Sequence, residues 1–356
     1  MVYNFGSLFL LFASFCFFGN FGNIARAFDL RGTHELMVLT DDVEKIQWNE
    51  FSLFKDRFQK RYESIEEEAN RFRIFRENWH SILIHNTEFH QGLQNFTMGV
   101  NQFTDLEPGE FKRIYVNSGK RVEVGAYGCK SFSSVASDSP TVVDWRAKGA
   151  VTSVKDQGQC GSCWSFSSTG AVEGAWAIAK GVLVNLSEQQ LVDCATGVIY
   201  GSHGCSGGQM DGAFKYITTN GQCALDAYPY HAVQETCQKC SAVAHVSSCS
   251  DVKANDQVSL RGAVAQQPVS VAIEADTRYF QSYSGGVLTS LSCGTNLDHG
   301  VLVVGYGVEN SIPYWLVKNS WGTTWGENGY VKIARSDSTS DVGVCGIAMM
   351  ASFPNV

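Results

Sequence analysis

The sequence predicts an α+β fold with two subdomains, preceded by a separate helical segment. Three observations carry that expectation. Aromatic residues recur at helical steps in the N-terminal third. Short β-type runs bounded by glycine turns dominate the C-terminal third. Between them, Gln157-Gly158-Gln159-Cys160-Gly161-Ser162-Cys163-Trp164 sets two cysteines before an apolar run. The chain has 356 residues and is 44% hydrophobic, a globular composition rather than a disordered one. Its formal charge of −8 argues against a nucleic-acid partner, which selects a basic footprint.

At the N-terminus, Phe9 to Phe18 is apolar, and Ala25-Arg26-Ala27 offers small residues at a cleavage box. This reads as a secretory signal peptide, residues 1–27. It lacks Lys or Arg ahead of the apolar stretch. An uncleaved anchor is the alternative, disfavoured because the stretch is short. A secretory route makes disulfides permissible for the twelve cysteines.

Next, Trp48, Phe51, Phe54, Phe58 and Tyr62 recur at steps of three and four, one face of an amphipathic helix. A second helix follows from about Ile65 to His90. On it Glu67, Arg71, Phe75, Asn78, Ile82 and Asn86 fall on one stripe, with Glu67 and Arg71 placed to pair. Gly99, Asn101, Phe103 and Asp105 alternate, which predicts an extended strand. Asn117 to Ser139 is rich in Ser, Gly and small residues without a helical period, and reads as a linker. Composition changes near Pro140.

In the second part, Trp164 to Lys180 has helical character, with Gly181 as its C-cap. Cys163 then lies in the first turn, where unpaired N–H groups favour a thiolate, the nucleophilic form of cysteine. Residues Ser187 to Gln190 signal another helix start. Gly204-Cys205-Ser206-Gly207-Gly208 reads as a flexible turn. Strands are expected at Val269–Ile273, Val301–Val304, Tyr314–Val317 and Tyr330–Ile333, with Glu327-Asn328-Gly329 turning into the last.

Three readings of Cys160 and Cys163 are open at this point: a structural disulfide, a redox pair, or half of a zinc site completed by Cys237 and Cys240. The secretory route weakens the last two. A cysteine nucleophile needs a base and a group to orient it. Asp298-His299-Gly300 directly precedes an apolar strand, which sets an imidazole at the end of a rigid element. Lys318-Asn319-Ser320-Trp321-Gly322 follows another strand. Its Asn amide oxygen can accept from an imidazole N–H, and its indole can keep water away. Gln157 offers a donor that, with the Cys163 amide, suits an oxyanion.

Taken together, these motifs resemble those of papain-family cysteine peptidases. The Glu67–Asn86 stripe matches the interspersed Glu-Arg-Phe-Asn-Ile-Asn signature of cathepsin L-like propeptides, and Gly99 to Asp105 matches their Gly-x-Asn-x-Phe-x-Asp signature. The resemblance covers nearly everything after residue 27. It implies the papain-like two-subdomain fold: a helical subdomain, a barrel-like antiparallel sheet, and a cleft between them. It implies a helical inhibitory propeptide at 28–137 and a catalytic domain at 138–356.

The resemblance also implies roles. Cys163 is the nucleophile, His299 its base and later acid, Asn319 the orienting residue and Gln157 the oxyanion donor. The resting form is a thiolate–imidazolium pair. The cleft residues are Gly207, Gly208, Met210, Ala272, Gly300, Trp321 and Met350. Disulfides are Cys160–Cys205, Cys194–Cys237 and Cys293–Cys345, which leaves Cys163 free. Cys223, Cys240 and Cys249 have no counterpart in those three bridges, and Cys240–Cys249 is the local pairing expected. The span from Cys163 to Asn319 slightly exceeds the usual one, which predicts a longer loop at Glu309 to Pro313.

The expected function is a secretory-pathway endopeptidase (lysosomal, vacuolar or extracellular), made as an inactive precursor. It takes protein and peptide substrates with an apolar residue two before the scissile bond. Its expected inhibitors are its own propeptide and cystatin-like proteins. It is expected to be a monomer with no cofactor and no metal. A catalytically silent binding protein of the same fold is the alternative. Asn95-Phe96-Thr97 is a glycosylation sequon on an expected surface turn. Asn185-Leu186-Ser187 is a second, with Ser187 expected to serve as a helix cap.

Overall fold

The computed structural model describes residues 30–116, 127–134, 139–289 and 293–356, with side chains of the first helix described only from residue 43. The expected signal peptide 1–27, with Cys16, and the end of the expected propeptide at 135–137 lie outside the described residues. No helix among the described residues is long and apolar enough to cross a membrane. The chain divides into two compact units, residues 1–61 and 62–356.

Among the described residues, the first unit contains one helix, α1 (Leu30–Arg57). Phe51 and Phe54 are buried and stack at 6.0 Å, whereas Trp48 is exposed. The helix ends at Arg57, so Tyr62 does not continue its aromatic face.

The second unit opens with α2 (Ile65–His90), started by Ser64, whose hydroxyl accepts from the Glu67 amide. Its polar stripe holds the following segment by the backbone. Asn78 Nδ2 donates to Thr104 O and Leu106 O, and Asn86 exchanges two bonds with Met98. Phe75 and Ile82 are buried on the same face. Arg71 lies 3.8 Å from Glu67, but its main partner is Glu110, gripped through two bonds of 2.6 and 2.8 Å. Strand β1 (Phe96–Met98) follows, then a compact turn in place of the expected strand at Gly99 to Asp105. Asn101 makes that turn: its Oδ1 accepts from Phe103 N, and its Nδ2 donates to Gln281 O. The alternating residues are therefore turn anchors rather than one face of a ladder. Helix α3 (Pro108–Tyr115) comes next, with Pro in its first turn.

Part of the expected linker is a strand, β2 (Lys130–Phe132). After β3 (Val143–Asp144), the helices are α4 (Cys163–Lys180), α5 (Glu188–Cys194) and α6 (Met210–Asn220). Gly181 caps α4 at φ 73°, and Ser187 caps α5 by accepting from Gln190 N. The remaining elements are β4 (Gln222–Cys223), β5 (Ala242–Ala244), β6 (Ser248–Val252), α7 (Gln257–Val264), β7 (Val269–Ile273), α8 (Arg278–Gln281), β8 (Tyr283–Leu288), β9 (His299–Glu309), β10 (Ile312–Lys318), β11 (Tyr330–Ala334) and β12 (Ala351–Asn355).

One large sheet runs β1-β8-β11-β10-β9-β7-β12-β6-β2, and β3 pairs with β9 off this path. The four strands expected from the sequence are its centre. β9 explains how the site is placed. Val301 and Val303 belong to the core beneath the sheet, with Trp315 and Trp325. Leu302 and Val304 belong to the core around α4 and α6, with Trp164 and Phe214. A period of two buries both faces of one strand, so its first residues lie where the two cores meet. The β9–β10 connection is a tight hairpin with Asn310 and Ser311 at positive φ, not the longer loop expected there.

The three disulfides implied by the resemblance are present: Cys160–Cys205, Cys194–Cys237 and Cys293–Cys345. The expected Cys240–Cys249 bridge is not. Cys223 pairs with Cys240, because the β4–β5 pairing aligns the segments carrying them. Cys249 pairs with Cys129, because β2 lies parallel to β6. Cys163 is the one free cysteine among the described residues.

Candidate active site

Cys163 is the first residue of α4, held there by the loop before it. The Cys160–Cys205 bridge and the Gly161 N–H bonded to Cys205 O fix that loop on one side. Tyr230 fixes the other, with its hydroxyl bonded to Ser162 Oγ and donating to Gln157 O. Gly300, at the start of β9, packs directly on this corner. A Cβ there would lie 3.3 Å from Cys163 O, from Trp164 Cα and from Met210 Sδ, so a side chain would need this corner to give by a few tenths of an ångström.

His299 is fully buried at the end of the same strand. Its Nε2 lies 2.8 Å from Asn319 Oδ1, which also accepts from Ser320 N. That second bond identifies the Asn319 oxygen as the atom facing the ring. Nε2 therefore carries the proton, and Nδ1 keeps a lone pair. Nδ1 is buried without a hydrogen-bond partner, which suits a proton acceptor. Trp321 stacks on the imidazole at 4.6 Å, and the indole, the ring and Asn319 are all buried. Behind it lie Trp325 at 5.1 Å and Phe280 at 5.6 Å.

Gln157 is fixed at three points. Its Oε1 accepts from Ser320 Oγ at 2.7 Å, its backbone N–H donates to Ser320 O, and its Nε2 donates to Cys160 O. The same Nε2 donates at 3.2 Å to Tyr115 O, the last residue of α3. The helical segment thus places a backbone carbonyl on the candidate oxyanion donor. Phe103 and Phe111 pack edge-on against Trp321 at 5.4 and 5.3 Å, and Gln102 donates to Trp321 O. Lys112 forms an ion pair with Asp276. Sequence reasoning missed these contacts, since a carbonyl acting as a cover leaves no residue-type signal.

Electrostatics follow from this cover. Burial pushes the Cys163 thiol up to about 11, although the amides of Gly300, Trp164 and Cys163 itself favour its thiolate. Burial brings His299 down to about 4 against the Asn319 bond. Burial thus disfavours the charged form of each group under this cover, which runs against the thiolate–imidazolium resting form that the resemblance implies. Asp298 is raised to about 8, chiefly by burial.

Of the expected cleft residues, Met210, Ala272, Gly300 and Met350 lie together. Ala272 faces Gly300 across the β7–β9 ladder, and its N–H donates to Met350 O. Met210 and Ala272 share one core, and Met350 packs against it. Gly207 has φ 100°, and a Cβ at Gly208 would meet Ser202 and Trp164 at 2.5 Å. Asn95 is exposed beside β1. Asn185 is also exposed, with Ser187 buried as the cap.

The family model described as papain family cysteine protease matches residues 139–355, and the one described as cathepsin propeptide inhibitor domain matches 51–111. A cathepsin L of Sarcophaga peregrina is 45% identical, over 88% of this chain and 94% of that protein. The probable cysteine protease RD21C of Arabidopsis thaliana is 47% identical over 83% of this chain, and the match spans 65% of its length. The structure of digestive procathepsin L 3 from the larval midgut of Tenebrio molitor matches with a TM-score of 0.78 at 44% identity. That match covers 87% of this chain and 99% of the other.

Proposed function

The chain belongs to the papain family of cysteine proteases and carries their inhibitory propeptide domain, and on that premise we propose that Cys163 is the nucleophile of an endopeptidase whose cleft is closed by residues 102–115. The observation that carries the reading is the His299–Asn319 bond beside a free cysteine on a helix start. His299 Nδ1 takes the Cys163 proton once the cleft is open to solvent, since uncovering removes the burial that favours the neutral pair. The thiolate attacks the scissile carbonyl. The Cys163 amide and Gln157 Nε2 hold the oxyanion, in place of Tyr115 O. His299 returns its proton to the leaving amine, and water hydrolyses the acyl-enzyme by the same groups in reverse.

Further parts of the reading rest on the expectations above. The pocket of Met210, Ala272, Gly300 and Met350 takes an apolar side chain. The chain travels the secretory pathway to a lysosomal, vacuolar or extracellular site, with Asn95 as a glycan acceptor. It acts as a monomer and is open to cystatin-like inhibitors. A catalytically silent binding protein is disfavoured, because nothing in the constellation is missing. Incubation of purified precursor at falling pH tests the reading. Peptide hydrolysis should appear as the inhibitory helices are lost. Products that are chiefly dipeptides would contradict an endopeptidase.

A further inference from the structure

Cys129 lies between the two matched regions, after the inhibitor domain ends at 111 and before the protease domain begins at 139. It is bonded to Cys249 in the catalytic sheet, 120 residues away. The segment around it is seated on the catalytic domain. Lys130, Ser131 and Phe132 pair in parallel with Ser250, Asp251 and Val252. Phe132 O accepts from Lys253 N at 2.9 Å, and its ring meets Phe353 edge-on at 5.2 Å. Ser134 N donates to Ser259 Oγ at 3.1 Å, and Gly262 leaves the space that Ser134 fills. β2 also covers an edge of the sheet that would otherwise expose unpaired backbone groups.

We propose that the Cys129–Cys249 disulfide holds β2 on the catalytic domain after activation, so that the cut that frees the enzyme falls on the N-terminal side of Cys129. A cut after Ser133 would require Phe132, two before the bond, to enter the proposed apolar pocket, whereas Phe132 is paired with β6 and packed on Phe353. Any cut between Cys129 and Trp145 leaves the inhibitory helices covalently attached. Tethering sustains an effective inhibitor concentration of about millimolar order, so such a cut alone does not open the cleft. Release after it needs a thiol reductant. Two thiols of the reductant give two electrons and two protons to the cystine, yielding Cys129 and Cys249 thiols and one reductant disulfide. The inference rests on the zymogen reading, but its first readout does not need activity.

The test inserts a site-specific protease sequence after Ser134 in a Cys163→Ala precursor, which cannot process itself. After cutting, denaturing electrophoresis without reductant should show one species at the precursor mass, and two after reduction. A Cys129→Ser version should fall into two without reductant. Should that variant not fold, alkylation of the unreduced, denatured parent serves instead, with Cys249 protected. Two pieces without reductant, or Cys249 alkylated in the unreduced parent, would overturn the tether. In the same insert with Cys163 intact, hundredfold dilution after cutting should leave activity per enzyme unchanged. With Cys129→Ser, dilution should raise it several-fold. Equal response to dilution would overturn the proposed inhibition in the tethered state. Mature enzyme whose unreduced mass begins after Cys129 would overturn retention of β2. Absence of all peptidase activity alongside an intact tether would count against the zymogen reading alone.

Discussion

Gln157 Nε2 donates to Tyr115 O at 3.2 Å, so the group proposed to hold the oxyanion already holds a carbonyl supplied by the inhibitory segment. The same amide is fixed by Ser320 and Cys160, so it is aligned before substrate arrives. Removing one such donor costs about 10²–10³ in kcat. Gln157→Ala in matured enzyme should lower kcat by that order with KM little changed. A loss confined to KM, measured with a peptide substrate, would place Gln157 in ground-state binding instead.

In the proposed mechanism Asn319 acts through His299, and its bond is to a ring that becomes charged in the reaction. Losing a hydrogen bond to a charged group costs about 1.5–3 kcal/mol. Asn319→Ala should reduce kcat/KM roughly ten- to a hundredfold and alter its acid limb, because the imidazolium loses its acceptor. An unchanged pH profile with lower thermal stability would make Asn319 a packing residue only.

The candidate catalytic residues and the Cys129–Cys249 bridge differ in how legible they are in the sequence. Cys163, His299 and Asn319 sit at the ends of elements whose periods are plain: the helix Trp164–Lys180 and the strands beginning at Val301 and Tyr314. What escaped was set by long-range pairing. Cys129–Cys249 depends on β2 lying beside β6, and the short run Lys130–Phe132 carries no strand pattern by itself. The Gly99–Asp105 alternation misled for a related reason. Asn101 and Thr104 bond to local backbone, and local bonds compete with a ladder. The longer span between His299 and Asn319 contains long strands joined by a two-residue turn, and residue spacing does not distinguish that from a loop.

Acid release should depend on Glu110. The Arg71 guanidinium, bonded through both nitrogens, holds its carboxyl below the usual range. A depressed acid contributes stability above its unfolded pKa, near 4.5, and loses it as pH falls through the folded value. The inhibitory segment therefore weakens below about pH 4.5. Glu110→Gln removes one side of the pair, worth about 1.5–3 kcal/mol, and should populate the open form roughly ten- to a hundredfold more at neutral pH. Precursor activation followed from pH 7 to 4 should then begin at higher pH than in wild type. An unchanged onset would remove Glu110 from the switch.

The catalytic domain has the opposite dependence. Burial, followed by the charge of Asp251, raises Asp211 to about 7, and burial raises Glu188 to about 7 despite Lys155. Acids raised above their unfolded pKa stabilise the fold below about 4 and lose that contribution as pH rises to about 7. Matured enzyme, alkylated at Cys163 to prevent self-digestion, should have a higher Tm at pH 5 than at pH 8. Asp211→Asn should reduce the difference. A Tm that rises with pH over this window would reverse the assignment.

Pocket chemistry predicts selectivity. The proposed pocket residues Met210, Ala272, Gly300 and Met350 offer no carboxylate, so on that proposal an Arg side chain would be buried unpaired. Peptides varied only at the second position before the scissile bond should rank Leu or Val over Phe, and Phe well over Arg. Met350→Ala deepens the pocket and should shift preference towards Phe. Arg preferred over Leu would show that other residues line the pocket.

In the proposed function Cys163, acting with His299, performs peptide hydrolysis once residues 102–115 leave the cleft. Titrating matured enzyme with a thiol alkylating agent while following hydrolysis of a peptide substrate tests this. Activity should fall linearly to zero at one equivalent, with the label on Cys163. The rate of alkylation should follow the ionisation of an imidazole-paired thiol rather than a free one. Hydrolysis that persists after Cys163 is fully labelled would contradict it, as would a correctly matured enzyme with no hydrolysis to titrate.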